Sequence, residues 1–438
     1  MALSGRLVVL GLLGLLLVGY PAIVLVGYTG LLLLVVLLDL TLAAPITALR
    51  LRRDPSPSVR LGNSTESALR IANTGRRRLR ARVRDAWVPS AGASPWDQSV
   101  VVAAGERRVL HTQLRPSRRG ERPTARVTIR SYGPLRVAAR QRRLDVPGRL
   151  RVLPPFTSRK FLPEKLARLR QIDGAVVMRQ RGQGAEFDSL REYVFGDDVR
   201  SIDWRATARS QDVVVRTWRP ERDRHIVLAL DTGRTSAARI GRSATAEHPA
   251  ADEPRLDAAL DACLLLAAVA TKAGDRIALV AADTRVRARL GLMSGADVMP
   301  ALVSAMTNLE PSLVETDPLL LSGQVIAQAG KRSLVVLFTG LDSGPAESGL
   351  MPAVRALVAR HQVIVASVGD PRIQDLASAR ADAAEVYTAA AAELAIAERD
   401  QLRERLIRLG CEVVDAPADI FASRVADAYL DLKAAGRL

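Results

Sequence analysis

A chain of 438 residues, 48% hydrophobic and 25% charged, is long enough for two or three domains that each bury a core, so neither disulfides nor a structural metal is needed for stability. Two distant cysteines in apolar runs, Cys263 and Cys411, read as buried thiols of a reducing compartment. Four scattered histidines (His111, His225, His248, His361), with neither H-E-x-x-H nor G-K-[ST], leave zinc-hydrolase and P-loop ATPase chemistry without a sequence basis.

From Leu7 to Leu49 the only charged residue is Asp39. One helix of that length, at about 1.5 Å per residue, would far exceed a hydrocarbon core of about 30 Å, so residues 1–50 are expected to form a transmembrane helical hairpin. Breaks are available at Gly19-Tyr20-Pro21 and at Gly27-Tyr28-Thr29-Gly30, and the second gives halves of nearly equal, membrane-competent length. Arg6 precedes the first pass and Arg50, Arg52 and Arg53 follow the second, while the connecting turn has no Lys or Arg. The positive-inside rule then predicts a two-pass protein of the bacterial inner membrane, with the N-terminus and the soluble domains in the cytoplasm. A signal peptide is the weaker reading, because its apolar region would be too long and Ala43-Ala44-Pro45 offers no convincing cleavage site. Asp39 is expected near an interface or against the partner helix.

Residues 51–155 alternate apolar and polar positions in short runs (Ala68–Ile71, Leu79–Val83, Val100–Val102, Val109–Leu114, Ala125–Ile129) between turn signals, which predicts an all-β sandwich-like module. The chain's net charge of +17 is concentrated there: residues 50–159 hold 26 Arg against 7 Asp or Glu, a local charge of +19. An Arg-rich block directly after a membrane segment points to anionic membrane lipids. Nucleic acid is the alternative, but few aromatics punctuate the arginines and no nucleic-acid partner is expected. Residues 156–222 have no sustained period and an unusual density of charge and aromatics. From 223 to 438, apolar strands (Ile226–Leu230, Ile277–Ala281, Leu334–Phe338, Val363–Val368, Cys411–Val414) alternate with helical stretches, which predicts a doubly wound α/β domain whose ligands bind at the carboxyl ends of the strands.

At the end of the first such strand, Asp231-Thr232-Gly233-Arg234-Thr235 resembles the D-x-S-x-S metal-ion-dependent adhesion site of von Willebrand factor A domains. Gly274 to Val280 is similar to the second strand of that fold, and Thr316-Asp317 falls where the family has a separate metal-binding threonine. The resemblance implies a von Willebrand factor A-like domain and a hard cation such as Mg2+ held by Asp231, Thr235 and Thr316, with Asp342 as a displaced substitute. Two departures make the site degenerate: Gly233 replaces the first serine, and Thr339-Gly340 stands where Thr-Asp is usual. Without a metal, Asp231 would order its own loop and cap the next segment.

The segment from Gly182 to Arg209 follows the pattern G-x-E-F-x-x-L-R-x-Y-x-x-G-D-D-x-R-x-I-D-W-x-x-T-A-R, carried by Glu186, Phe187, Arg191, Tyr193, Gly196, Asp197, Asp198, Arg200, Asp203, Trp204 and Arg209. It resembles the signature of the bacterial family catalogued as domain of unknown function 58, as do the Arg119-Gly120 and Tyr132-Gly133-Pro134-Leu135 turns. That resemblance implies a membrane hairpin, a β module, a von Willebrand factor A-like domain and association with MoxR-type AAA+ ATPases. Arginines interleaved with carboxylates permit bidentate pairs, so the segment reads either as a clasp between the β module and the α/β domain or as a docking surface for a protein partner. The leading expectation is a non-enzymatic, membrane-tethered adaptor acting in envelope-related assembly or maturation. A hydrolase built on Asp197, Asp198 and Asp203 is its rival, and would need a pocket and perturbed carboxylates.

Overall fold

In a computed structural model of the chain, which describes residues 2–438 apart from 18, 56–57, 180–185, 196, 210–211, 220–223, 242–251, 331 and 343–344, Pro21 decides where the N-terminal apolar stretch bends. With no N–H to donate, it stands as the N-cap of a long helix, Ala22–Leu42, and a shorter helix, Gly5–Leu13, precedes it. The break therefore lies at Gly19–Pro21 and not at Gly27–Gly30. The long helix runs through the second site because an interior glycine costs only about 1 kcal/mol, and Thr29 keeps its hydroxyl bonded to the Leu25 and Val26 carbonyls. Gly14 leaves room for the Tyr28 ring, whose hydroxyl donates to the Leu10 carbonyl at 2.6 Å. Among the described residues one apolar span, Ala22–Ala48 with mean hydropathy 2.5, is long enough to cross a membrane; the shorter helix is not.

The chain divides into two compact units, Met1–Leu153 and Pro154–Leu438. In the first, two mainly antiparallel sheets face each other over Leu69, Ile71, Leu79, Val83, Val127 and Ile129. One is built on Leu79–Trp87, Gly120–Tyr132 and Ala138–Leu144, the other on Leu49–Arg53, Thr65–Asn73 and Arg107–Leu114. Several arginines point inward or onto the helix rather than to solvent. Arg53 pairs with buried Asp85 at 2.6 Å, and Asp85 also accepts from the Trp87 indole at 3.1 Å. Arg140 donates to the Leu40 carbonyl at 2.8 Å and Arg77 to that of Thr41, supplying cations and donors where the long helix exposes its last carbonyls.

Asp39, late in that helix, is fully buried. Its Oδ1 accepts from the Leu135 amide at 2.9 Å, and its Oδ2 from the amides of Val137 at 2.8 Å and Ala138 at 3.0 Å. The acid is thus held in a nest of backbone donors formed by the turn after Tyr132. Gly133 is required there, since a β-carbon would collide with the Asp39 carboxylate.

The second unit is built on a six-stranded sheet in the order Val286–Met293, Arg276–Ala282, His225–Asp231, Leu334–Phe338, Gln362–Gly369, Glu412–Pro417, parallel except for Val286–Met293. The central strands are apolar on both faces and covered by helices, notably Arg255–Lys272 and Ala418–Ala434 on one side and Pro318–Ala329 and Pro345–Val358 on the other. Both cysteines are buried free thiols, and burial pushes that of Cys411 up to about 12. Residues 162–179, expected to lack period, form a helix, Leu162–Arg179. Its Leu162, Leu166, Leu169 and Ile172 pack on the main core, while Lys165 and Arg168 pair with Asp427 at 2.9 and 2.8 Å.

Replacing Asp39 with alanine strands three amides without an acceptor. We expect the detergent-solubilised protein to lose roughly 2–4 kcal/mol of stability in its first unit and the 135–138 amides to exchange hydrogen faster. Unchanged exchange would show that the nest does not hold the helix.

Candidate functional site

In sequence order the six strands run 3-2-1-4-5-6, so the order reverses between His225–Asp231 and Leu334–Phe338. Crevices open at such a switch point, beyond the carboxyl ends of the strands. Asp231 ends one of these strands and Thr339 follows the other.

Asp231 is buried and its carboxylate is saturated. Oδ1 accepts from the Gly233 amide at 2.8 Å and from Thr316 Oγ1; Oδ2 accepts from Thr235 Oγ1 at 2.9 Å and Thr339 Oγ1 at 2.8 Å. Four donors occupy the four lone-pair directions of the two oxygens. The main-chain carbonyl of Asp231 accepts from Ser236 Oγ at 2.5 Å. Three predicted site residues, Asp231, Thr235 and Thr316, are therefore brought together, with Thr339 as a fourth member.

Thr316 reaches this cluster on the loop between the helices Val298–Thr307 and Pro318–Ala329, and a second buried acid holds that loop. Asp283 accepts from Arg287 Nε at 2.6 Å, Ser312 Oγ at 2.7 Å and the Arg285 amide at 3.1 Å. Burial alone would raise its pKa; the Arg287, Ser312 and Arg285 hydrogen bonds outweigh that and bring it from 3.8 to about 2. Asp317 caps the following helix through the Leu319 and Leu320 amides, both at 3.0 Å.

Asp342 borders the same crevice as the hydroxyl cluster. It pairs with Arg255 and lies 3.6 Å from Arg399, which is itself bound to Asp415 and to Ser367 Oγ at 2.9 Å. Magnesium takes near-octahedral oxygen ligation, usually with one or two carboxylates and several waters. Here one carboxylate is saturated by protein donors and the other faces guanidinium groups. Among the described residues no three His, Cys, Asp or Glu side chains gather as a metal-binding group. The donor set in this arrangement does not fit a divalent ion, and Asp342, expected as a substitute ligand, is here an ion-pair partner of Arg255.

The signature segment forms a separate small lobe. Glu186–Glu192 pairs antiparallel with Val214–Arg219, and Ile202 bridges to Val215. Arg191 donates to Asp197 at 2.6 Å, and the other Asp197 oxygen accepts from the Val194 amide at 3.0 Å. Asp198 caps the turn Val199–Ser201 through the Arg200 amide at 2.9 Å. Asp203 caps Trp204–Thr207 through the Arg205 and Ala206 amides at 3.0 and 3.1 Å and pairs with Arg216 at 2.8 Å. The Arg216 guanidinium and these two amides hold the Asp203 carboxyl below the usual aspartate range. Tyr193 is half-buried and its amide donates to the Val213 carbonyl at 2.8 Å; Arg200 and Arg209 are exposed. The predicted Arg–carboxylate bracing is present, and each of these hydrogen bonds closes within the lobe. The apolar residues do not all turn inward: Phe195 is 99% exposed, Trp204 68%, Val199 64% and Val194 61%. Gly196 lies outside the described residues, and of Glu186 and Phe187 only the backbone pairing is described.

The family model described as "Protein of unknown function DUF58" matches residues 189–412, just over half of the chain. The chain belongs to this family. The DUF58 stretch takes in the lobe from Ser189 onward and the crevice with Asp231, Thr316 and Asp342, and leaves the apolar helices and the β module outside it. Uncharacterized proteins of Mycobacterium tuberculosis and Mycobacterium bovis are 29% identical over 199 residues, which is 44% of this chain; the match spans 58% of the length of those relatives. Among solved structures, the conserved hypothetical protein BatB from Bacteroides thetaiotaomicron aligns at 14% identity with a TM-score of 0.31, covering 49% of this chain and 99% of that one. The ASH/PapD-like domain of human CEP192 aligns at 14% identity with a TM-score of 0.18, covering 24% of this chain and 85% of that domain. At these scores neither likeness bears on the DUF58 fold.

Three partners in the DUF58 site carry no local signal in the sequence. Arg255 lies 87 residues from Asp342, and Arg399 and Arg216 are likewise recruited by the fold. Thr339 was legible as the residue after an apolar strand.

Because the Asp283 pKa is depressed on folding, its ionised form stabilises the folded protein fully above the ordinary aspartate value and progressively less as pH falls from about 4 to about 2. Thermal melts across that window should show the wild type losing stability more steeply than Asp283→Asn. Superimposable acid profiles would mean that Asp283 does not hold the Thr316 loop.

Proposed function

We propose that this protein is a membrane-tethered adaptor whose α/β domain, of von Willebrand factor A-like type, presents the signature lobe to a cytosolic protein partner. The observation that carries this reading is the division of labour within the lobe. Asp197, Asp198 and Asp203 are spent on holding the backbone, while Phe195 and Trp204 remain in solvent. A rigid loop with exposed aromatic anchors and flanking arginines has the composition of an interaction hot spot. The A-like assignment is supported by the strand order and by the Asp231–Thr235 turn at the switch point. The family resemblance supplies the partner, a MoxR-type AAA+ ATPase, and a role in envelope-related assembly or maturation. The apolar span Ala22–Ala48 would anchor the chain in the bacterial inner membrane, with both soluble parts in the cytoplasm.

A hydrolase using Asp197, Asp198 and Asp203 has less support. A general acid–base at neutral pH needs a carboxyl raised toward 7, and Asp203 is held in the opposite direction. The cationic β module is assigned to anionic lipid rather than nucleic acid. Part of its charge is already committed, as in the Arg53–Asp85 and Arg70–Asp54 pairs, and Trp96, its exposed tryptophan, lies 4.7 Å from the Arg84 guanidinium.

Detergent-solubilised protein should bind the co-encoded ATPase in a nucleotide-sensitive manner, and Phe195→Asp or Trp204→Asp should weaken that binding about 30-fold, the ~2 kcal/mol of an aromatic hot spot, without lowering the melting temperature. No association with or without nucleotide and magnesium would sink the adaptor reading; binding that both variants retain would move the interface off the lobe.

A further inference from the structure

Arg255 is an odd residue for its place. It is the first residue of the helix Arg255–Lys272, where the positive end of the helix dipole disfavours a cation, and it is only 8% exposed. Its guanidinium pairs with Asp342, while its Nε has no hydrogen-bond partner. A long cation buried against a helix amino terminus needs a compensating arrangement.

That arrangement involves both glycines that depart from the adhesion-site pattern. A β-carbon on residue 340 would lie 3.2 Å from the Arg255 Nη1, 3.1 Å from Asp342 Oδ2 and 3.0 Å from Thr235 Cβ. Any side chain at 340 would crowd the Arg255–Asp342 pair, so Gly340 and Arg255 are two halves of one substitution. At residue 233 a β-carbon would collide with Thr316 Oγ1, whose hydroxyl fills the space a serine would take and bonds Asp231 instead. At both glycines the space of the missing side chain is taken by another group of the site.

We propose that Arg255 is the resident cation of this crevice, standing in for a divalent ion. It neutralises Asp342, fixes the Thr339–Asp342 loop to the amino end of the helix, and leaves the site complete without metal. The charges continue as an alternating row, Arg255, Asp342, Arg399 and Asp415, which ties that helix, the loop after Leu334–Phe338, the helix Ala383–Arg408 and the last strand together at the edge where ligands bind. The crevice would therefore keep its shape in the presence of chelators, whichever protein docks on the lobe.

The test uses full-length protein in detergent, with Mn2+ as the probe counted by electron paramagnetic resonance. The wild type should show no Mn2+ site that Asp231→Asn removes, and EDTA should leave its melting temperature unchanged. Arg255→Ala should melt lower and gain a single Mn2+ site that the further change Asp342→Asn abolishes, whereas Arg255→Lys, which keeps a cation, should gain none. If the alanine variant does not accumulate, Arg255→Gln retains bulk without charge and should gain the same site. An Asp231-dependent Mn2+ site in the wild type, or no gained site in either uncharged variant, overturns the proposal.

Discussion

The carboxyl edge of the parallel sheet depends on one saturated carboxylate. Asp231 takes four hydrogen bonds from three hydroxyls and an amide, and the donors arrive on three different pieces of chain: the turn after its own strand, the loop ending at Thr316, and the exit of the neighbouring strand at Thr339. A buried anion without such donors would cost several kcal/mol, whereas with them it becomes a fixed reference point. The loop carrying Thr316 can serve as a donor because Asp283 holds it, and Asp283 remains ionised because its own donors outweigh burial. Two acids thus set the geometry of the crevice from beneath, and the row from Arg255 to Asp415 sets it from the side.

Asp39 plays the same physical part in the first unit. There a helix otherwise apolar on every side presents one acid to three amides, and arginines of the β module cap its final carbonyls. Three carboxylates of this chain immobilise backbone in this way: Asp39 a turn, Asp203 a short helix, Asp231 a strand exit. The pattern weighs against reading an acidic residue here as reactive merely because it stands in a conspicuous motif.

The apolar periods made the architecture legible, because strands such as Ile226–Leu230 and Leu334–Phe338 are buried on both faces and the helices between them cover the sheet. What escaped was decided by pairs distant in sequence. The helix Leu162–Arg179 hides its period among charges, and Lys165 can be buried because it pairs with Asp427, more than 250 residues away, as well as with its neighbour Glu164. The edge strand Val286–Met293 alternates with arginine and so lacks a continuous apolar run. At the N-terminus, equal helix lengths were a poorer guide than the missing N–H of Pro21. In the crevice, the hydroxyls of Thr235 and Thr316 were legible through the resemblance to the adhesion-site motif, but the fate of Asp342 was not, because it turns on an arginine whose own position looks unfavourable in isolation.

The lobe inverts the usual economy of a folded segment. Asp197, Asp198 and Asp203 are bonded within it and Phe195 and Trp204 are left in water, although folding ordinarily favours burial of apolar surface by about 25 cal/mol per Å2. Phe195 and Trp204 stay exposed although the backbone around them is fixed by three acids and two arginines. Ordering such a loop costs conformational entropy in the free protein, and that cost is no longer due when a partner covers the aromatics. Preorganisation of this kind stabilises a complex more than it stabilises the monomer, which is the physical reason to place recognition on the lobe and to assign the crevice behind Asp231 to holding the domain in one shape.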